Sequence, residues 1–332
     1  MRTFSDSFRV ALAAALLLSG KALAYDPLKV PEGEIVSKTF ELSDVARDRA
    51  IPLRVYLPQD TKAAPVVLFS HGLGGSRDNN PYLGNHWAKR GYVVVFVQHA
   101  GSDENVWKKA EIGQRQAAMG SAVSLENLMA RGRDIPVVID ALAKWNAEKD
   151  HSLNGRMDLD HLGMSGHSFG AITTQAVSGQ SFAGGRQLFL ESRIDASVMM
   201  SPSPPALGDP VKAFPSIKIP CLLMTGTLDD SPIGKTSPEE RLKVFPNLTH
   251  APAWQVVFDK GTHMSFGERD LAGRSEMGNR YHKPILALTT AFWDAKLRGD
   301  EEAAEWLNGP AARSVLATED KWELNALAKE TP

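Results

Sequence analysis

One cysteine, Cys221, occurs in 332 residues. No intrachain disulfide can form, so packing and hydrogen bonds must hold the fold. Cys221 lies in the apolar run Ile219-Pro220-Cys221-Leu222-Leu223-Met224 and reads as a small core residue, not a reactive thiol. An excess of charge is also lacking. With 37 Lys and Arg against 39 Asp and Glu, the net charge is -2. That removes the basic footprint of a nucleic-acid binder and leaves no acidic tail. The nine histidines show neither H-E-x-x-H nor H-x-x-E-H spacing, and there is no cysteine pair. No metal is therefore expected. The glycines of Gly72-Leu73-Gly74-Gly75 complete neither G-x-G-x-x-G nor a phosphate loop ending in Gly-Lys-Ser/Thr, so no cofactor is expected. Internal repeats and low-complexity segments are missing too.

Long apolar runs are confined to the first residues, and even there they are short. Arg2 and Arg9 precede the apolar stretch Val10 to Leu18, which is too short to span a bilayer as a helix. Ala22-Leu23-Ala24 follows as an A-x-A cleavage site. Residues 1–24 read as a secretory signal peptide cut before Tyr25, which predicts a periplasmic or extracellular protein. Residues 25–332 are long enough for one α/β domain with a full core. No stable membrane span is expected.

What is present is an alternation of strand-like and helix-like stretches, the pattern of a mostly parallel sheet wrapped by helices. Ile35 to Leu42 and Pro52 to Leu57 read as an opening pair of strands. Pro65 to Ser70 and Tyr92 to Val97 are continuous apolar runs, as strands covered on both faces should be. Later strands are placed at Asp160 to Ser165, Ala196 to Met200, Cys221 to Thr225 and Trp254 to Phe258. Helices are placed at Pro81 to Arg90, Leu125 to Asn146, Ala171 to Val177 and Arg280 to Leu297. About eight strands are predicted. His99 to Gly120 and Ser201 to Ser216 read as irregular loops, the second with five prolines. As long loops after strands, they are candidate walls of a substrate site.

The chemistry centres on Gly166-His167-Ser168-Phe169-Gly170. A G-x-S-x-G turn between a strand and a helix holds its serine in strained geometry with the hydroxyl exposed. A serine needs a base and an acid that orients the base. In this architecture both follow it in the chain, acid first. Asp229 and Asp230 lie in the turn after the Cys221 strand. Asp229 is preferred on its distance from Gly226, with Asp230 as the alternative. Asp195 opens a strand and so lies at the wrong end of a parallel sheet. His263 follows the Trp254 strand, whereas His250 precedes it and His282 falls in the last helix. The oxyanion donors are expected to be the backbone N–H groups of Phe169 and of Leu73, in His71-Gly72-Leu73-Gly74-Gly75. His71 itself is read as a structural hydrogen-bonding residue.

These four stretches resemble the α/β-hydrolase superfamily. Within it, the chain is similar to the bacterial predicted dienelactone hydrolase group related to platelet-activating factor acetylhydrolases and polyester hydrolases. The resemblance runs from about Ile35 to Leu297. It implies a carboxylic-ester hydrolase without a cofactor, acting on a small-molecule ester. Dienelactone hydrolases proper use cysteine where this chain has Ser168. In the platelet-activating factor enzymes the acid follows an earlier strand, where Ala196 to Pro202 offers no carboxylate here. A peptidase or acyltransferase with the same triad is the competing enzyme class, and a non-catalytic binding protein on this fold is the other alternative. The candidate walls carry few large apolar side chains besides Trp107, which points to short acyl groups. Glu301 to Leu327 is the remaining candidate for a cover.

Overall fold

The computed structural model describes residues 25–206, 208–268 and 280–330. The signal segment expected at 1–24 lies outside the described residues. The strands are β1 (Val36–Asp44), β2 (Arg49–Leu57), β3 (Ala64–Ser70), β4 (Val93–Val97), β5 (Met157–His167), β6 (Ala196–Met200), β7 (Cys221–Leu228), β8 (Ala253–Thr262) and β9 (Lys321–Leu324). They form one sheet in the order β1-β2-β4-β3-β5-β6-β7-β8-β9. From β4 to β8 all neighbours are parallel, while β1, β2 and β9 run antiparallel at the two edges. This is an α/β-hydrolase sheet.

Alternation along the central strands divides the core into two layers, because successive side chains leave a strand on opposite faces. Val67 and Phe69 of β3 join one cluster with Phe96, Trp254, Phe292 and Trp293. Val66 and Leu68 join the other with Val95, Leu162, Met164 and Ile135. The helices Pro81–Lys89 and His282–Leu297 cover the first face. The helices Leu125–Ala147 and Phe169–Val177 cover the second. The sheet is thus buried on both sides, which explains its uninterrupted apolar runs.

The polar groups in this core are anchored. Asp294, 1% exposed, accepts hydrogen bonds from Tyr25 (2.8 Å), Tyr92 (2.6 Å), Arg90 (2.8 Å) and Arg298 (3.2 Å). Four donors around one buried carboxylate satisfy its lone pairs and tie the segment after residue 24 to the last long helix. Cys221 is fully buried, and burial pushes its thiol up to about 12, so it behaves as a core residue.

Two expectations need correction and one is refined. Among the described residues the sheet has nine strands, where about eight were expected. Lys321-Trp322-Glu323-Leu324 joins β8 antiparallel and is too short to show a period of its own. The stretch from Glu301 onward therefore does not cover a site. Its helix Glu301–Asn308 packs on His282–Leu297, and its strand closes the sheet edge. His99 to Gly120 is not irregular throughout, since Asn105–Lys108 and Arg115–Ala122 are helical. In Ser201 to Ser216 only Pro210–Ala213 forms a helical turn, and Leu207 lies outside the described residues.

Candidate active site

β5 ends at His167, and the chain turns at Ser168 with φ 57° and ψ -117° before the helix Phe169–Val177 begins. Positive φ is costly for a residue with a Cβ and persists only where the surroundings enforce it. The enforcing contacts are close backbone approaches. A Cβ on Gly170 would lie 1.8 Å from the Ser70 carbonyl oxygen, and one on Gly166 would lie 2.3 Å from the Gly170 carbonyl oxygen. Only glycine fits at either position. The turn is further fixed by the Ser168 N–H, which donates to Met200 O at 2.9 Å.

Strand register brings the other two residues together. At the ends of β7 and β8, Leu228 is paired with Thr262 across a local irregularity. The next residues are Asp229 and His263, so the two side chains leave neighbouring strands at the same height. His263 Nδ1 lies 2.7 Å from Asp229 Oδ1, and His263 Nε2 lies 2.9 Å from Ser168 Oγ. A carboxylate accepts only, so Nδ1 carries the proton and Nε2 is free to accept from the serine hydroxyl. Asp229 is fully buried and also accepts from Thr225 Oγ1 at 2.9 Å. Asp230 is exposed, and among the described residues no hydrogen bond joins it to His263. Asp195 sits before β6, where its carboxylate accepts from Leu162 N.

The expected oxyanion loop lies beside the serine. A Cβ on Gly72 would sit 3.4 Å from Ser168 Cβ. The loop is held by Gly75 N to Gly72 O (3.1 Å), Gly74 N to Ser102 O (2.9 Å) and Trp107 Nε1 to Gly74 O (2.8 Å). Among the described residues, the Leu73 N–H donates to nothing. Phe169 opens its helix, where an N–H has no intrahelical acceptor. His71 accepts the His99 N–H at its Nε2 (3.0 Å) and approaches Gly72 O with Nδ1 (2.6 Å). It braces the backbone.

Sequence reading missed three polar residues that surround this site. Arg241, 1% exposed, donates through Nε to Asp229 O (2.7 Å) and lies 3.0 Å from Asp229 Oδ1. Its two terminal nitrogens reach Ser201 O, Ser203 Oγ and Ser231 Oγ, and one comes within 3.2 Å of His263 Nδ1. His167 bonds His263 O through Nε2 at 3.1 Å, and its ring lies 4.7 Å from the His263 ring. Arg131 lies behind the oxyanion loop. A lone arginine on a helix, or the variable residue of a pentapeptide, gives no sequence signal for such roles. Only the crossing of distant segments creates them.

A second Ser–His–Asp chain lies beneath the first. Ser70 Oγ is 2.8 Å from His99 Nε2, and His99 Nδ1 is 2.8 Å from Asp134 Oδ2. All three residues are fully buried, so no substrate reaches them. Burial, followed by the nearby Arg131 charge, pushes the His99 imidazole down to about 4. Burial opposes ionisation of Asp134, but hydrogen bonds from His99 and Arg49 outweigh it and bring that carboxyl to about 2. Burial likewise holds His71 and His167 well below the usual imidazole range. Among the described residues, no group of three His, Cys, Asp or Glu side chains is placed to hold a metal, and no helix is long and apolar enough to cross a membrane.

Comparison with known proteins agrees with this architecture. The profile of the family "Platelet-activating factor acetylhydrolase, isoform II" matches residues 50–105. That segment runs from β2 through the oxyanion loop and β4. A platelet-activating factor acetylhydrolase of Bos taurus is 25% identical, the match covering 33% of this chain and 30% of the relative. Over these segments the chain is similar to platelet-activating factor acetylhydrolases. The profile match stops before the elbow, so Ser168, Asp229 and His263 stand on their own geometry.

The buried histidines give a pH prediction. Each binds a proton in the unfolded chain below about 6.5 but, in the native state, His99 does so only near 4. Between these values the unfolded state holds more protons, so stability is full above 6.5 and is lost as pH falls toward 4. Each such histidine contributes a slope of about 1.4 kcal/mol per pH unit. Urea denaturation at pH 7, 6 and 5 should show this loss, and His99→Asn should reduce the slope by about one proton. A profile flat from pH 7 to 5 contradicts the assignment.

Proposed function

We propose that this chain is a secreted serine carboxylic-ester hydrolase with Ser168 as nucleophile, His263 as base and Asp229 as orienting acid. The observation that carries the proposal is the hydrogen-bonded order Ser168–His263–Asp229 at the carboxyl ends of β5, β7 and β8. In this reading, His263 Nε2 takes the Ser168 proton as Oγ attacks the ester carbonyl. The carbonyl oxygen becomes an oxyanion, received by the N–H groups of Leu73 and Phe169. Collapse expels the alcohol, which gains the proton from His263, and leaves an acyl-serine. Water, deprotonated by the same imidazole, attacks the acyl-serine and frees the acid. Asp229 keeps Nδ1 protonated throughout, so Nε2 remains the basic nitrogen.

Short acyl groups suit the site best. Trp107 and Met119 press against Gly74 at the mouth of the oxyanion loop. A long chain would need a continuous apolar channel, gaining about 0.8 kcal/mol per buried CH₂. The name of the bovine relative, an acetylhydrolase, agrees with a small acyl group. The test is a series of p-nitrophenyl esters. Acetate to hexanoate should be hydrolysed much faster than palmitate. Ser168→Ala should lose activity by several orders of magnitude while staying folded. A fluorophosphonate should label Ser168; labelling elsewhere sinks the nucleophile assignment, and rising kcat/KM with chain length sinks the short pocket.

The choice of acid has its own test. Asp229→Asn should lower kcat by about 10⁴, the scale on which losing the orienting carboxylate acts. Asp230→Asn, on an exposed neighbour, should stay within a few-fold. The reverse ranking would move the acid by one residue.

Export is part of the same proposal. The Tyr25 hydroxyl is bonded to Asp294, so the fold engages the chain from the residue that would follow cleavage. Amino-terminal sequencing of protein from an exporting host should begin at Tyr25, and a sequence beginning with Met1 would overturn this.

A further inference from the structure

Arg131 is a fully buried arginine with no carboxylate within ion-pair distance among the described residues. Asp134, one turn along the same helix, is taken by Arg47, Arg49 and His99. An unpaired buried cation is costly, so its surroundings should explain its presence. Its Nη1 donates to His71 O at 2.8 Å, and its Nε donates to Ser102 Oγ at 2.8 Å. Nη1 also approaches Ser70 Oγ at 3.4 Å. The guanidinium carbon lies 4.4 Å from the centre of the Phe169 ring. One planar group therefore touches both arms of the oxyanion cradle. His71 leads into the loop of Leu73, and Phe169 supplies the other N–H.

The rest of the buried layer fits the same purpose. Ser102, gripped by Nε, presents its own carbonyl to Gly74 N at 2.9 Å. Ser70, whose carbonyl lies against Gly170, bonds His99, which in turn is fixed by Asp134. The His99 N–H is bonded to the His71 ring. Arg131 thus stands where β3, the loop after β4 and the elbow helix converge.

Building on the proposed esterase function, we propose that Arg131 is the positioning residue of the oxyanion hole. It fixes the Leu73 and Phe169 N–H groups relative to each other, and its fixed positive charge lies behind the place where negative charge develops. Preorganised donors and charges act in the transition state rather than in substrate binding. A lysine cannot replace it, because a point charge cannot both fork to His71 O and Ser102 Oγ and sit over the Phe169 ring.

The experiment compares the mature wild type with Arg131→Gln and Arg131→Lys, each titrated for active sites with a fluorophosphonate. Per titrated site, kcat on p-nitrophenyl butyrate should fall about 10- to 100-fold in both, approaching the scale of a lost oxyanion donor. KM should change by less than about threefold. The Ki of a short-chain trifluoromethyl ketone, which forms a tetrahedral oxyanion adduct, should rise in step with the loss of kcat/KM. A purely structural role would lower the denaturation midpoint and the titrated fraction but leave kcat per site unchanged, and that result overturns the proposal. Full kcat in Arg131→Lys overturns it as well. If Arg131→Gln does not fold, Ser102→Ala frees one side of the guanidinium. It should then lower kcat and raise Ki in step, and no change in either overturns the proposal. Failure of the esterase reading itself looks different: the wild type shows neither turnover nor a label on Ser168.

Discussion

A Cβ on Gly170 would lie 1.8 Å from the Ser70 carbonyl oxygen, so no side chain could be added there. Much of the site follows from this contact. It brings the end of β3 against the first turn of the elbow helix, which forces Ser168 to positive φ and turns its hydroxyl out of the sheet. The same approach sets the loop after Ser70 beside the serine, where an oxyanion would form. It also leaves the Ser70 side chain facing inward, where it starts the buried chain to His99 and Asp134. A crowding constraint on one glycine is thus shared by Ser168, the loop after β3 and the buried support.

Beneath the candidate site lie two buried guanidiniums, each bound largely to backbone carbonyls and hydroxyls. Arg241 holds the turn of Asp229 and the loop after β6. Arg131 holds the loop after β3 and the elbow ring. Each ties together segments far apart in sequence, and their fixed forks replace the mobile water that would otherwise solvate these turns. The cost of burying these charges is offset by the acceptors around each guanidinium, by the Asp229 carboxylate beside Arg241 and by the Phe169 ring beside Arg131. Three of the depressed histidines, His71, His99 and His167, belong to the same layer. They stay neutral because charging them next to these cations, away from water, is unfavourable.

Much of this was legible in the chain itself. The fold class followed from continuous apolar runs alternating with amphipathic helices. Ser168 and His263 followed from order and turn chemistry, because a parallel sheet places the residue after each strand at one common edge. The preference for Asp229 over Asp230 rested on a spacing. The Leu228–Thr262 register, which spacing alone does not contain, sets Asp229 against His263. The short strand β9 escaped notice because four residues with two half-buried side chains have no readable period. The helix inside His99 to Gly120 escaped because its exposed, Gly- and Ser-containing sequence has little amphipathic contrast.

By itself the sequence determined the kinds of chemistry available. One cysteine ruled out internal disulfides, and one G-x-S-x-G turn between strand and helix provided a serine in an exposed, strained position. The carboxylate and imidazole followed in the required order. These are local properties, set by residue type, turn geometry and chain direction. Tertiary structure alone decided which aspartate meets His263, and that Arg241, Arg131 and His167 surround the site. It also decided that the Ser70–His99–Asp134 chain is sealed while the Ser168–His263–Asp229 chain is not. Both chains have the same residue types and nearly the same distances. Burial separates them, and burial depends on what the rest of the chain packs against each one.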